Sequence, residues 1–317
     1  MIIGFHSLWG LENAWFFKDA KDLNYGDNLW YPLIALKEHA AKLGITIGRV
    51  TEFNLEDIDI FVFHEVPVPE DQDPYFQYAI TNHKPMYLYN YEPEVICWAS
   101  HCLDKHQPYK KIFTQHDQYI DGKKYVKINP FCIDVSNSIK NPTKQNLCTL
   151  IASGNKSSSH PMELYTERMN AIEWFEQNQP NDFDFYGHSW NHQDHPCYKG
   201  LSFNKIETLS HYKFAICYEN ARDVAGYITE KIFDCFNASC VPIYLGANNI
   251  TQYIPPQCFI DRRLFSSYDD LFQYITNMSE ETYDGYLQAI EQYLSSDLAK
   301  QFSVNQFVTT MWQGLTH

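Results

Sequence analysis

The chain of 317 residues is short of positive charge, with 24 Lys and Arg against 39 Asp and Glu and a formal net charge of -15. Such an acidic balance excludes a general nucleic-acid binder and a polybasic membrane anchor, while a local basic pocket stays compatible with it. With 13 glycines, 15 prolines and 44% hydrophobic residues, the chain is neither disordered nor fibrous. No run approaches the ~20 apolar residues of a bilayer span. The opening Met1-Ile2-Ile3-Gly4-Phe5-His6 has neither a basic leader nor a long apolar stretch. The nine cysteines are odd in number and contain no C-x-x-C pair. Several sit in apolar, strand-like runs, so they read as reduced, buried thiols of a cytoplasmic protein. No G-x-S-x-G is present, which removes the usual serine hydrolase reading. Aromatic residues are plentiful at 16%. They suit stacking on sugars or bases, and equally a tyrosine-rich core.

Hydrophobic patterning alternates between strand and helix signals. Expected strands are 2–6, 45–50, 58–63 and 86–89, with a first helix carrying Leu29, Leu33, Leu36 and Ala40 behind a cap at Asp27 or Asn28. The polar, aperiodic stretch 136–146, containing Pro142, is the best linker, with a boundary near residue 143. Beyond it, strands at 147–152, 183–186, 213–218 and 240–245 alternate with helices at 163–177, 204–212 and 228–238. This spacing predicts βαβ units, hence two Rossmann-like α/β domains facing each other across a cleft, 1–143 and 144–298. Helices are expected over 268–278, 280–294 and 299–315, with 299–317 as a C-terminal helical segment used for packing.

The most informative stretch runs from Phe214-Ala215-Ile216-Cys217-Tyr218-Glu219-Asn220 to Gly226-Tyr227-Ile228-Thr229-Glu230-Lys231-Ile232-Phe233. A buried strand ends in a carboxylate and an amide, and a loop then enters a helix at the sheet edge where open α/β folds bind ligands. A lysine in the first helical turn opposes the helix dipole, worth about 0.3–1 kcal/mol. A diphosphate there would reverse the sign, accepting backbone N–H groups and pairing with Lys231. Solvation of Lys231, or a pair with Asp234 or Glu230, explains it as well from the residues alone.

Together with Val241-Pro242-Ile243-Tyr244-Leu245-Gly246-Ala247 and Tyr253-Ile254-Pro255-Pro256-Gln257-Cys258-Phe259-Ile260, this stretch resembles the signature of the α-1,3/α-1,4-fucosyltransferases, glycosyltransferase family 10. The matched region is about 210–262, with weaker similarity over 147–175; the N-terminal half is compatible only in length and order. The resemblance implies a GT-B fold, GDP-fucose as donor substrate, a glycan acceptor, inversion at the anomeric carbon, and a donor site mainly in the second domain. The first domain would take the acceptor. On that basis Lys231 binds the donor phosphates, Arg168 clamps the diphosphate, and Glu230, Tyr227 and Asn220 line the sugar-nucleotide pocket, Glu230 on ribose. A planar guanidinium suits a bidentate clamp, although an exposed Arg168 paired with Glu163 or Glu167 fits the helix too. Ser153, Asn155 and Lys156 follow the first strand of the second domain beside Gly154, where backbone can approach a phosphate. Gly187 ends another strand and borders the base, or is an ordinary strand-to-loop glycine.

Inverting transfer needs a base for the acceptor hydroxyl, and a carboxylate is the usual choice. The resemblance points to Glu92, with Glu94 second, in Tyr89-Asn90-Tyr91-Glu92-Pro93-Glu94, although the usual E-S-P order is not kept. Either residue read alone fits a solvated loop carboxylate. His6, His64 and Glu65 also end first-domain strands, as acceptor contacts or as generic polar strand ends.

The D-x-D patterns at Asp57/Asp59, Asp71/Asp73 and Asp182/Asp184 are short, and two of them alternate like solvent-facing strand positions. With Lys231 and Arg168 supplying charge, no metal is expected and no cofactor is required. His188, His192, His195 and Cys197 match no usual zinc spacing. Two alternatives stand beside a fucosyltransferase: a transferase of another GDP-deoxyhexose, and a non-catalytic carbohydrate- or nucleotide-binding module. The lack of an anchor, of heptad repeats and of a basic amphipathic tail points to a soluble version without stable membrane insertion.

Overall fold

The computed structural model describes residues 1–7, 31–130, 133, 138–140, 142–154 and 156–317. The expected caps Asp27 and Asn28, the linker residues Ser136, Asn137 and Asn141, Cys132 and the candidate contact Asn155 lie outside the described residues. Short apolar runs separated by helices give strands covered on both faces, which is how parallel sheets are built.

In the first half, β1 (Ile2–Ser7), α1 (Tyr31–Lys42), β2 (Thr46–Arg49), β3 (Ile60–His64), α2 (Pro74–Thr81), β4 (Met86–Asn90), β5 (Lys111–Thr114) and β6 (Tyr125–Lys127) form one unit. Its six strands are all parallel, in the order β2-β1-β3-β4-β5-β6. The second half contains β7 (Asn146–Ile151), α3 (Tyr165–Asn178), β8 (Phe183–Tyr186), α4 (Lys205–Ser210), β9 (Tyr212–Tyr218), α5 (Glu230–Asn237), β10 (Val241–Leu245) and β11 (Ile260–Asp261). These strands form a second parallel sheet, β11-β10-β9-β7-β8. Then follow α6 (Tyr268–Thr276), α7 (Glu280–Leu294) and α8 (Val304–Thr316).

Periodicity reading misses α2, β5 and β6. The two turns of α2 are fixed by Asp73, whose carboxylate accepts the N–H groups of Tyr75 and Phe76, with Pro74 at the first helical position. The strands β5 and β6 are four and three residues long, too short to show a period. The expected helix over 299–315 is split, because Ser303 is extended and its side chain caps α8 through the Gln306 N–H.

Each sheet has apolar clusters on both faces. The final helix returns to the first unit: Phe307, Val308, Met311 and Leu315 bury among Leu33, Leu36 and Phe113. A Cβ on Gly314 would run into the Phe113 ring, so glycine permits this approach. The two units are also tied by Asp117. Its carboxylate accepts from Lys127 in the first unit at 2.7 Å and from Asn249 at 2.7 Å and Tyr253 at 2.6 Å in the second.

In the second sheet β7 has β8 on one side and β9 on the other, so the strand order reverses between β7 and β9. A crevice opens at the C-terminal ends of such strands. The first sheet reverses likewise between β1 and β3, and β4 delivers the Glu92 loop next to that point.

Candidate active site

Thr229 begins the site-bearing helix. Its hydroxyl donates to Glu219 Oε2 at 2.6 Å, its N–H donates to Glu219 Oε1 at 2.8 Å, and it caps the Lys231 N–H. Glu219, at the end of β9, is 0% exposed. This carboxylate fixes the entry into α5, and a buried carboxylate needs such partners. The Lys231 ammonium is aimed back across the same turn, 3.0 Å from Thr229 Oγ1, 3.5 Å from Glu219 Oε2 and 3.6 Å from Glu230 Oε1. Burial alone would lower its proton affinity; Glu230 and Glu219 outweigh that and hold it above the ordinary lysine value. Lys231 is therefore a cation throughout the physiological range.

Arg168 comes from α3 and is buried rather than exposed. Its Nη2 donates to Tyr218 O at 2.7 Å, Glu219 O at 2.8 Å and Asn220 Oδ1 at 2.9 Å. These bonds fix the guanidinium over the C-terminal end of β9 and orient the Asn220 amide. From the neighbouring strands, β7 leads into Ser153 and β8 into Gly187. Gly187 has φ +142, and a Cβ there would strike the Ala152 carbonyl, so only glycine allows the two strand ends to approach.

These groups surround a cavity of about 660 Å³, in the range of small-molecule sites. Its walls include Ser153, Lys156, Arg168, Gly187, Asn220 and Lys231 from the second unit, and Glu92, Val95 and Ile96 from the first. A carboxylate from the first unit and cations from the second thus meet in one space. Burial, and after it the negative charge of Glu65, push the Glu92 carboxyl up to about 8, against a smaller opposing pull from Lys231.

The remaining expected residues are placed differently. Glu94 is exposed and lies 3.8 Å from His160 Nε2. Glu230 lines a smaller adjoining cavity of about 70 Å³, together with Lys205, Lys231 and Asp234. Its carboxyl sits below the ordinary value, because Lys231 and Lys205 outweigh the effect of burial. Tyr227 is buried behind the site, its ring parallel to His116 at 6.1 Å. Asp184 is engaged by Lys199 and Tyr212, and His195 by Glu176. Among the described residues no group of three or more His, Cys, Asp or Glu could hold a metal ion.

Sequence reasoning missed Lys205, which lines both cavities. The signal was available: Lys205 stands in the first turn of α4 after the Asn204 cap, the same dipole conflict that singled out Lys231. It also missed Tyr165, Ser157 and Ser202 as wall residues. In the sequence Glu219 is a strand-end carboxylate; its role as the anchor of Thr229 comes only from the fold.

Among the described residues no helix is long and apolar enough to cross a membrane. The eight described cysteines are free, seven of them buried.

The chain is 38% identical over 73 residues to an alpha-(1,4)-fucosyltransferase of Arabidopsis thaliana, covering 23% of this chain and 18% of that protein. It is 39% identical over 72 residues to an alpha-(1,3)-fucosyltransferase of Helicobacter pylori, covering 23% of this chain and 15% of that one. The chain therefore spans less than a fifth of these relatives in matched sequence. In structure, an alpha1,3-fucosyltransferase crystallised with GDP-fucose superposes with TM-score 0.58 at 16% identity, over 100% of this chain and 90% of that one. An alpha-glucosyltransferase in complex with UDP-glucose and abasic DNA gives TM-score 0.59 at 10% identity, over 100% and 99%. The shared architecture is GT-B, two parallel-sheet Rossmann-like domains across a cleft. The family model "Glycosyltransferase family 10 (fucosyltransferase) C-term" matches residues 141–311, more than half of the 317, and includes α3, β9 and α5 with their cavity residues; the chain belongs to glycosyltransferase family 10.

Proposed function

We propose that this protein is an inverting, metal-independent fucosyltransferase that moves L-fucose from GDP-fucose to a hydroxyl of a glycan acceptor, with α-1,3 linkage the first to test. The observation that carries this reading is the meeting of Glu92 from the first unit with Arg168, Asn220 and Lys231 from the second in one cavity of about 660 Å³.

The chemistry follows from the charges. Lys231, Arg168 and the first turn of α5 neutralise the diphosphate, with Lys156 as a further cation on the rim. Ser153 and Gly187 border the donor, and Glu230 takes the ribose hydroxyls from the adjoining cavity. Glu92 accepts the proton of the acceptor hydroxyl as that oxygen forms a bond to the anomeric carbon. The bond from carbon to the β-phosphate oxygen breaks on the opposite face, and its electron pair leaves with GDP. One displacement inverts the centre. A base of raised proton affinity suits a hydroxyl, because general-base efficiency is greatest when the pKa lies near the operating pH. Glu92 is the base rather than Glu94, since Glu92 lines the cavity and Glu94 stands exposed beside His160.

Calorimetry with GDP, ADP and UDP tests the donor assignment. GDP should bind most tightly, and equal affinities would reject it. Transfer should survive EDTA; a complete loss restored by added metal would remove the metal-independent mechanism. Glu92→Gln separates an enzyme from a non-catalytic module, since only the enzyme loses its activity while retaining ligand. We place the protein in the cytoplasm, in line with seven buried thiols among the described residues, and cell fractionation checks this.

A further inference from the structure

The main chain that carries Glu92 is gripped on both sides. Glu65 Oε1 accepts the N–H of Tyr91 and the N–H of Glu92, each at 2.9 Å. On the other side His101 Nε2 at 2.8 Å and His116 Nε2 at 3.0 Å both donate to the Glu92 carbonyl oxygen. Two donors occupy both lone pairs of that oxygen. Gln115 adds a bond from its Nε2 to the Tyr91 carbonyl at 2.6 Å. None of these bonds uses the Glu92 carboxylate.

The grip is costly in the terms of an ordinary loop. Glu65 is buried and adopts φ +66, a backbone region that a glutamate seldom enters. Burial pushes its carboxyl up to about 7. The imidazole of His116 is buried, and burial, then the neighbouring His101, pulls it down to about 3, so it stays neutral and donates through Nε2. The grip also reaches the other domain. His116 stacks on Tyr227, and Gln115 Oε1 accepts the Ile228 N–H at 3.4 Å, two residues before α5.

We propose that Glu65, His101 and His116 are positioning residues that fix the Glu92 peptide, and so the aim of its carboxylate, against the donor-side helix. The inference rests on the reading of Glu92 as the base. A displacement of about 1 Å at a reacting group is enough to lower a rate a hundredfold, and a loop carrying a base needs external bonds to avoid it.

Full-length variants test this by kcat, acceptor KM, GDP affinity and pH profile. Glu65→Gln keeps an oxygen for both N–H groups and should rescue kcat to within about threefold of wild type. Glu65→Ala should lower kcat at least about tenfold, with GDP affinity within about twofold. His116→Phe keeps a ring against Tyr227 but loses the carbonyl bond, and should show the same split. Glu65→Gln also removes one negative neighbour, so the acidic limb of the rate profile should move to lower pH. The other groups facing Glu92 are Lys231, Glu230, Glu219 and Arg168, the hydroxyls of Tyr91, Tyr165 and Tyr227, the Cys97 thiol, and the two histidines; none is altered in Glu65→Gln.

Unchanged kcat in Glu65→Ala and His116→Phe, with Glu92→Gln inactive, would overturn the positioning role alone. Active Glu92→Gln would instead remove the base on which it rests. Should Glu65→Ala not fold, the pH limb of Glu65→Gln and the kcat of His116→Phe still decide. An unmoved limb together with parallel losses of kcat and GDP affinity identifies a merely structural role and overturns the proposal.

Discussion

Replacing Lys231 by methionine removes the ammonium while keeping most of the stem that packs at the start of α5. Wild-type Lys231 lies 3.5 Å from Glu219 and 3.6 Å from Glu230, so part of its charge is already neutralised before any ligand arrives. A charge-assisted contact is worth about 1.5–3 kcal/mol, which corresponds to a rise in the GDP dissociation constant of roughly 10- to 150-fold. The lower half of that range is expected, because the two carboxylates compete with phosphate for the cation. They also remain behind in the variant and repel the diphosphate, which works the other way and keeps the loss above the lower limit. Calorimetry should compare GDP with guanosine on both proteins. Guanosine has no phosphate, so its affinity should stay within about twofold while that of GDP falls. The variant should also lose about 1–3 kcal/mol of stability in urea, since Glu219 keeps only its Thr229 bonds. An equal loss for guanosine and GDP would show that Lys231 acts by holding the fold, and an unchanged GDP affinity would refute the phosphate assignment outright.

Glu92→Gln should lower transfer by about 10²- to 10⁴-fold with GDP affinity retained, whereas Glu94→Gln should stay within a few-fold of wild type, as measured by steady-state kinetics. Stability gives an independent check on Glu92: its carboxyl, held near 8 mainly by burial, binds a proton in the folded state that the unfolded chain releases near 4.5. This group's contribution to stability therefore falls as pH rises through that interval. Glu92→Gln should be more stable than wild type at pH 8.5, by about 1–3 kcal/mol after allowing for screening at the cavity wall, and should melt higher there but together with it near pH 4. Equal melting at both pH values would contradict the shift. Gly226→Ala should be destabilised by at least about 1 kcal/mol, since Gly226 has φ +80 and a Cβ there would press on the Gln115 carbonyl, Lys127 and Asp117. Thermal unfolding measures this, and a neutral result would show that the domain contact can yield.

Much of the fold was legible because parallel strands buried on both faces are short apolar runs with helices between them. The expected strand 183–186 and helix 280–294 coincide with β8 and α7. Elements whose stability comes from outside were not legible: α2 depends on one Asp73 cap, and β6 on pairing with β5. Within the site, Lys231 stood out because its place in a helix contradicts a local electrostatic rule. Glu65, His101 and His116 contradict no local rule, so nothing in the sequence ties them to Glu92.

The alternation of elements, the strand ends that carry polar residues and the family signature around 210–262 are local properties, set by neighbours a few positions apart. Tertiary structure decided the rest. It turned Glu92 into the cavity and Glu94 toward His160, and it placed Tyr227 behind the wall and Glu230 in a side cavity. It also carried α8 back onto the first sheet. The reason is that contacts between residues far apart in the chain depend on sheet order and domain closure, which no local pattern encodes.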